Sequence, residues 1–230
     1  MMSHELRTPL QAIAGYCDLL LQEASGPITT EQETDLRSVQ GASDELVRLL
    51  NDILDFARFE SGTAEMKLET VALDAAITRA ERLIVPKLAA AQLAYVRDDC
   101  APDLCLRANP DRLQQVLLNL LTNAIKFTPA GGQIAVECHA DERFMQISVR
   151  DTGCGIPAEQ GSQIFEPFVE VDRNRIDSRQ RGVGLGLAIS RELVNAMGGE
   201  LSVASEVGVG SVFTVSLPTE TAPKSVPVPA

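Results

Sequence analysis

Near the start of the chain, Ser3-His4-Glu5-Leu6-Arg7-Thr8-Pro9-Leu10 sets an imidazole beside a carboxylate. On a helix, His4 and Thr8 are four residues apart and share one face. Leu6 and Leu10 point elsewhere, into a packed interface, which leaves the imidazole in solvent. A neutral imidazole nitrogen is a competent nucleophile near pH 7, and a neighbouring carboxylate can take its proton or hold its tautomer. Pro9 has no N–H to offer the carbonyl of Glu5, so the helix should bend just past the histidine. A lone His-Glu pair is more often a solvated helix face than a reactive one, so the reading depends on what else the chain carries.

A second set of residues suits nucleotide chemistry. The apolar helix pattern over 110–127 carries Asn119 and Asn123 on one side, with Lys126 nearly in line and Phe127 closing it. Amide oxygens suit Mg²⁺ and an ammonium neutralises phosphate, although asparagines on a helix are commonly just solvated. Asp151-Thr152-Gly153-Cys154-Gly155-Ile156-Pro157 ends a predicted strand, and its two glycines permit a tight turn. There Asp151 can accept a hydrogen bond from an adenine amino group. Gly182-Val183-Gly184-Leu185-Gly186-Leu187 opens a helix, where backbone N–H groups and the helix dipole favour phosphate. A dinucleotide-binding glycine loop is the rival, but no strand-helix-strand unit surrounds these glycines. Between them, 171–183 carries Arg173, Arg175, Arg179 and Arg181, a reversal of sign in an acidic chain that suits a lid over phosphates. Phe165-Glu166-Pro167-Phe168 reads as an apolar anchor for that loop, and Gly208-Val209-Gly210-Ser211 as a hairpin turn or a last glycine element of the site.

The elements that must hold these residues follow from periodicity. Apolar residues at Leu6, Leu10, Ile13, Cys17 and Leu20, then at Leu36, Val39, Ser43, Leu46, Leu50 and Ile53, alternate three and four apart. Such stripes belong to left-handed helix bundles. Ser25-Gly26-Pro27 breaks the two helices apart, and Thr30 with Glu33 reads as a capping box. A hairpin of this size buries little alone, so it is expected to pair with a copy of itself through residues 2–60 as a four-helix bundle. Ser61-Gly62-Thr63 reads as a hinge.

From Met66 onward strands are expected over 66–71, 93–97, 104–107, 133–139, 144–151, 200–205 and 211–217. Helices are expected over 73–91, 110–127 and 184–197. This is an α+β chain: the helical hairpin, then an α/β sandwich with a mixed sheet and helices on one face. The domains are 1–61 and 66–218, with a disordered tail over 219–230 that holds Pro223, Pro227 and Pro229.

A net charge of -12 argues against nucleic acid as a partner, since phosphate backbones need basic surface. No apolar run reaches the roughly 20 residues that span a bilayer, so this fragment is read as cytoplasmic and without membrane contact. The five cysteines are scattered, with no metal-ligand spacing, and are read as reduced thiols; Cys100 and Cys105 are a close pair in sequence but a weak signal. His139 falls on a predicted strand and reads as structural.

Taken whole, the string from Ser3 to Leu10 resembles the H-box of sensor histidine kinases. The later strings resemble their N-box (Asn119 to Phe127), G1 box (Asp151 to Ile156), F-box (Phe165 to Phe168) and G2 box (Gly182 to Leu187), in the family's order. Ser211 stands where the family often has Thr, which keeps the hydroxyl. The resemblance implies ATP and Mg²⁺ as cofactors, with His4 the phosphoacceptor, Glu5 the general base and Thr8 a group that orients water for dephosphorylating the partner. It also implies Asn123 on Mg²⁺, Lys126 on phosphate and Asp151 on adenine, with Asn119, Phe127, Gly153, Gly155, Ile156, Gly182, Gly184, Leu185, Gly186, Leu187 and Ser211 around the nucleotide. The implied activity is autophosphorylation followed by transfer to a response regulator receiver domain. A phosphatase-dominated hydrolase and an ATP-binding scaffold are the alternatives. The family normally has a helix arriving from a sensor segment ahead of the H-box, so an upstream part of the parent protein is expected, and any membrane anchor would lie there.

Overall fold

A computed structural model describes residues 2–60, 66–98, 100, 104–141, 143–169 and 184–220. The chain divides into two compact units, Met1–Ala64 and Glu65–Ala230. The expected hinge at 61–63 and the arginine-rich stretch at 171–183 lie outside the described residues, as does the tail from 221 onward.

The first unit is the expected hairpin, α1 (Met2–Leu21) and α2 (Thr30–Glu60), with Pro9 inside α1. Its apolar stripes divide in two. Leu10 and Cys17 on α1 are buried, as is Ser43 on α2, whose hydroxyl donates to the Leu10 carbonyl at 3.1 Å. Leu36 and Leu50 flank Ser43 and are half-buried. The interleaved residues Ile13 and Leu20, with Val39, Leu46 and Ile53, are exposed. One heptad seam therefore closes the hairpin and the other faces outward. The N-terminal cap of α2 sits one residue earlier than expected. Thr29 Oγ1 accepts the Gln32 N–H at 3.2 Å and Gln32 Oε1 accepts the Thr29 N–H at 2.9 Å. Glu33 instead pairs with Arg37. Glutamine satisfies a capping box as well as glutamate does, so Thr29 and Gln32 served the turn first.

The second unit contains β1 (Glu69–Ala72), α3 (Leu73–Ala90), β2 (Ala94–Arg97), β3 (Cys105–Ala108), α4 (Pro110–Phe127), β4 (Gln133–Ala140), β5 (Phe144–Asp151), α5 (Gly186–Ala196), β6 (Glu200–Glu206) and β7 (Gly210–Glu220). The strands form one mixed sheet in the order β1-β3-β7-β5-β4-β2, with β6 also on β7. The β2–β4 pairing is parallel and the rest antiparallel. Alternate strand residues Ile134, Val136, Met145, Ile147, Val215 and Leu217 are fully buried together with Ile77, Leu117, Leu120 and Leu193 of the helices. The other face of the sheet is polar, with Arg150 on Glu137 and Ser148 on Thr214. Helices therefore cover one face, as the strand alternation requires.

Differences from the expected boundaries have local causes. β1 starts at Glu69 rather than 66 because its partner β3 ends at Ala108. There Asn109 turns to cap α4, accepting the Arg112 N–H at 3.0 Å, with Pro110 opening the helix. β7 runs on through Thr219 and Glu220, residues assigned to a disordered tail, because β3 offers Leu106 and Cys105 as partners. α5 begins at Gly186, after Gly184 has adopted a positive φ of 72°. The cysteines also depart from expectation: Cys100 and Cys138 form a disulfide, their Cα atoms 5.6 Å apart, while Cys17, Cys105 and Cys154 are free. Parallel pairing of β2 with β4 carries Cys100 beside Cys138 across 38 residues, a juxtaposition no spacing in sequence displays.

Candidate functional site

One end of the second unit gathers the strings singled out from sequence. Asn109 caps α4, and its apolar face is buried through Leu113, Leu117, Leu120 and Leu121, so its polar side carries Asn119, Asn123 and Lys126 at partly buried positions. The Lys126 ammonium lies 5.0 Å from the centre of the Phe127 ring, within cation–π range. Asn119 faces α5: its Nδ2 donates to Ser190 Oγ at 2.8 Å. A Cβ at Gly186 would lie 2.5 Å from Asn119 Oδ1, so a side chain there would push the Asn119 amide aside. The first residues of α5 have no side-chain cap, so the N–H groups of that turn have no partner within the helix.

Asp151 ends β5 and is 6% exposed. Its Oδ1 accepts the Gly153 N–H at 2.8 Å. Burial pushes the carboxyl above its ordinary range, while the Gly153 and Ser211 amides pull the other way. Gly153 has no room for a side chain, since a Cβ would sit 2.5 Å from the Phe127 carbonyl oxygen. The Cys154 N–H donates to that same carbonyl at 3.3 Å, and the Cys154 carbonyl accepts from Gly208 N–H at 2.9 Å. Cys154 thus works through its backbone, tying α4 to the β6–β7 turn. Gly155 has a φ of 69° and passes within 2.0 Å of Glu206 O at its would-be Cβ. Ile156 N–H donates to Ser205 Oγ at 2.8 Å.

Register completes the arrangement. Asp151 on β5 pairs with Ser211 on β7, and Ser211 pairs with Ser205 on β6, so the three side chains form one row on the helix-covered face. Beyond it, the Phe168 N–H donates to Gly184 O at 3.0 Å, Phe165 stacks edge-on to Phe213 at 6.5 Å, and Arg191 lies 5.5 Å from the Phe165 ring. The F-box therefore anchors the chain at the α5 start. Leu185 is buried at 2% and Leu187 is partly buried.

Asn119, Asn123, Lys126, Phe127, Asp151, Gly153, Gly155, Ile156, Gly184, Leu185, Gly186, Leu187 and Ser211 thus belong to one end of one unit. Gly182 lies outside the described residues. His4, Glu5 and Thr8 are on α1 in the other unit, and Thr8 is exposed. The side chains of His4 and Glu5 are outside the described set. Two residues were missed from sequence, Ser190 and Ser205. Each is a polar residue at an inward position of an otherwise apolar pattern, which was the available signal. Among the described residues no group of three or more His, Cys, Asp and Glu side chains is placed to hold a metal ion.

The geometry is that of an α/β sandwich with one mixed sheet, in a chain that also carries a two-helix hairpin. Residues 1–62 match the His Kinase A (phospho-acceptor) domain, and residues 108–221 match the histidine kinase-, DNA gyrase B- and HSP90-like ATPase domain. The chain belongs to the sensor histidine kinases. It is 36% identical over 225 residues to the circadian input-output histidine kinase CikA of Synechococcus elongatus, covering 96% of this chain and 29% of that protein. It is 38% identical over 220 residues to the sensor histidine kinase RcsC of Escherichia coli, covering 94% and 22%. Among solved structures, full-length ShkA in complex with AMPPNP superposes with a TM-score of 0.80 at 34% identity, over 96% of this chain and 45% of that one. The chain thus spans under a third of the length of these two curated relatives. No helix among the described residues is long and apolar enough to cross a membrane.

Proposed function

We propose that this chain is an ATP-dependent protein-histidine autokinase that phosphorylates His4 and passes the phosphoryl group to an aspartate of a response regulator receiver domain. The observation that carries the reading is the convergence of the four nucleotide strings on one sheet end, in a chain that also carries the phosphoacceptor hairpin. Asp151 reads the adenine amino group, Lys126 and the amides that open α5 neutralise phosphate, and Gly153 and Gly155 shape the turn that lets the base approach. The amide oxygens of Asn119 and Asn123 suit Mg²⁺, which prefers hard oxygen donors and shares its shell with phosphates. When bound, the ion supplies charge neutralisation at the phosphates.

A His4 ring nitrogen attacks the γ-phosphorus, an N–P bond forms, the bond from phosphorus to the bridging oxygen breaks, and ADP leaves with those electrons. Glu5 accepts the imidazole proton. The phosphoramidate then yields its phosphoryl group to a receiver carboxylate, which restores His4. Rate comes chiefly from positioning and electrostatics, not from covalent help by the protein. Two copies of the hairpin form the working unit, supported by the outward seam of Ile13, Leu20, Val39, Leu46 and Ile53.

The test is incubation with γ-labelled ATP. Wild type should gain acid-labile, base-stable label, and His4→Gln should bind ATP normally and gain none. Label retained by His4→Gln would overturn the assignment.

A further inference from the structure

Ser205 lies outside every string that the sequence marks for chemistry, yet its hydroxyl touches three separate pieces of the nucleotide end. Ile156 N–H donates to Ser205 Oγ at 2.8 Å, Gly210 O lies 2.9 Å from that oxygen, and Ser211 Oγ lies 3.0 Å from it. A serine hydroxyl has one proton and two acceptor lone pairs. The Ile156 amide occupies one lone pair. Gly210 O can only accept, so the single Ser205 proton goes there. The contact with Ser211 is then a hydrogen bond only when Ser211 is the donor. The reverse arrangement would press two acceptor oxygens together at 2.9 Å. One proton pattern satisfies all three contacts, and it commits the Ser211 proton to β6. What Ser211 has left is lone pairs, in the row that continues to Asp151.

We infer that Ser205 is a positioning residue for base selection: by holding the Ser211 hydroxyl as an acceptor beside the Asp151 carboxylate, it makes that end of the pocket favour a purine bearing an amino group over one bearing an oxo group. The inference rests on Asp151 being the adenine reader. An ionised carboxylate and an acceptor-only hydroxyl meet an exocyclic N–H₂ favourably and an exocyclic carbonyl with repulsion. Without Ser205 the Ser211 hydroxyl is free to rotate and donate, and an oxo group then gains a partner.

The experiment compares equilibrium binding of ATP and inosine triphosphate to the whole chain, with Mg²⁺, across five variants. Ser205→Ala should lower the preference for ATP about five- to tenfold, the scale of one hydrogen bond gained by the wrong base. Ser205→Thr keeps the hydroxyl and should restore most of the preference. Ser211→Ala should lose a similar factor, and the double variant Ser205→Ala/Ser211→Ala no more than either alone, because both act through one hydroxyl. A merely structural Ser205 would weaken both nucleotides alike. An unchanged preference in Ser205→Ala, a Ser205→Thr as unselective as the alanine variant, or additive losses in the double variant would overturn the inference. Should thermal melting show Ser205→Ala unfolded, an unchanged preference in Ser211→Ala overturns it alone. Asp151→Asn separates the two levels. If that variant keeps its ATP affinity, the adenine assignment fails; if it loses affinity while the serine variants keep the preference, only the role of Ser205 fails.

Discussion

The two units of this chain are stabilised in opposite ways. In the nucleotide unit Leu113, Leu117, Ile134, Met145, Ile147 and Val215 are sealed from solvent, and one continuous core joins α3, α4 and α5 to the sheet. In the hairpin the described side chains that reach full burial are Leu10, Cys17 and Ser43, and an entire apolar seam stays exposed. Burial of apolar area is the dominant favourable term in folding, so the nucleotide unit closes on itself and the hairpin does not. That division matches the chemistry. A nucleotide pocket needs atoms held to a fraction of an ångström, which a complete core provides. On the proposed function, the helix that carries His4 must present it to several partners in turn, and an open apolar seam leaves the hairpin's stability to association.

The largest test of this contrast pairs one core substitution with one seam substitution. Leu117→Ala, at 1% exposure, should cost about 2–5 kcal/mol in the nucleotide unit, independent of protein concentration, as read from denaturant midpoints. Leu46→Glu, at 46% exposure, should leave that unit's midpoint unchanged but halve the particle mass in light scattering. If Leu46→Glu stays dimeric, the outward seam is not the association surface and the contrast breaks.

A smaller effect sharpens the same comparison through Asp151, where function and stability pull apart. Burial raises its folded carboxyl above the unfolded value. Protonated, the group is comfortable in the pocket; ionised, it is penalised. Its favourable contribution is therefore present at low pH and lost as pH rises from the unfolded carboxylate range through the folded value. Asp151→Asn stays neutral and still offers an oxygen to the Gly153 amide. Relative to wild type its denaturant midpoint should improve as pH climbs from about 4 to 7, while ATP affinity at pH 7 falls at least tenfold. Equal pH profiles for the two proteins would show that the carboxylate is not strained by its site.

The smallest effect lies in the hairpin. Thr29→Ala removes the hydroxyl that caps α2 and should cost about 1 kcal/mol, detected as a lower hairpin melting temperature by circular dichroism. Thr30→Ala should cost a few tenths, because Thr30 follows the cap; equal losses would return the cap to Thr30.

Much of this molecule was legible in its residues. The helical pattern over 110–127 and the strand over 144–151 match α4 and β5 at both ends, because a polar cap, a proline and an alternating apolar row are local signals. The glycines and Asp151 could be read from sequence because they lie at the ends of recognisable elements, and the asparagines because they share the polar side of α4. Other features depend on which distant segment arrives alongside. The Cys100–Cys138 disulfide requires β2 to lie parallel to β4. The extension of β7 to Glu220 requires β3 as its partner. The alternate members of one apolar stripe divide into an inner and an outer seam only when α1 and α2 pack. Ser205 joins the site only through the pairing of β6 with β7 and of β7 with β5. Periodicity, caps and turns are set by neighbours a few residues away, so sequence alone determined the elements and the chemistry they carry. Cross-strand register is set by burying a whole face at once, so the tertiary structure alone decided which serine stands beside Asp151 and which cysteine meets Cys100.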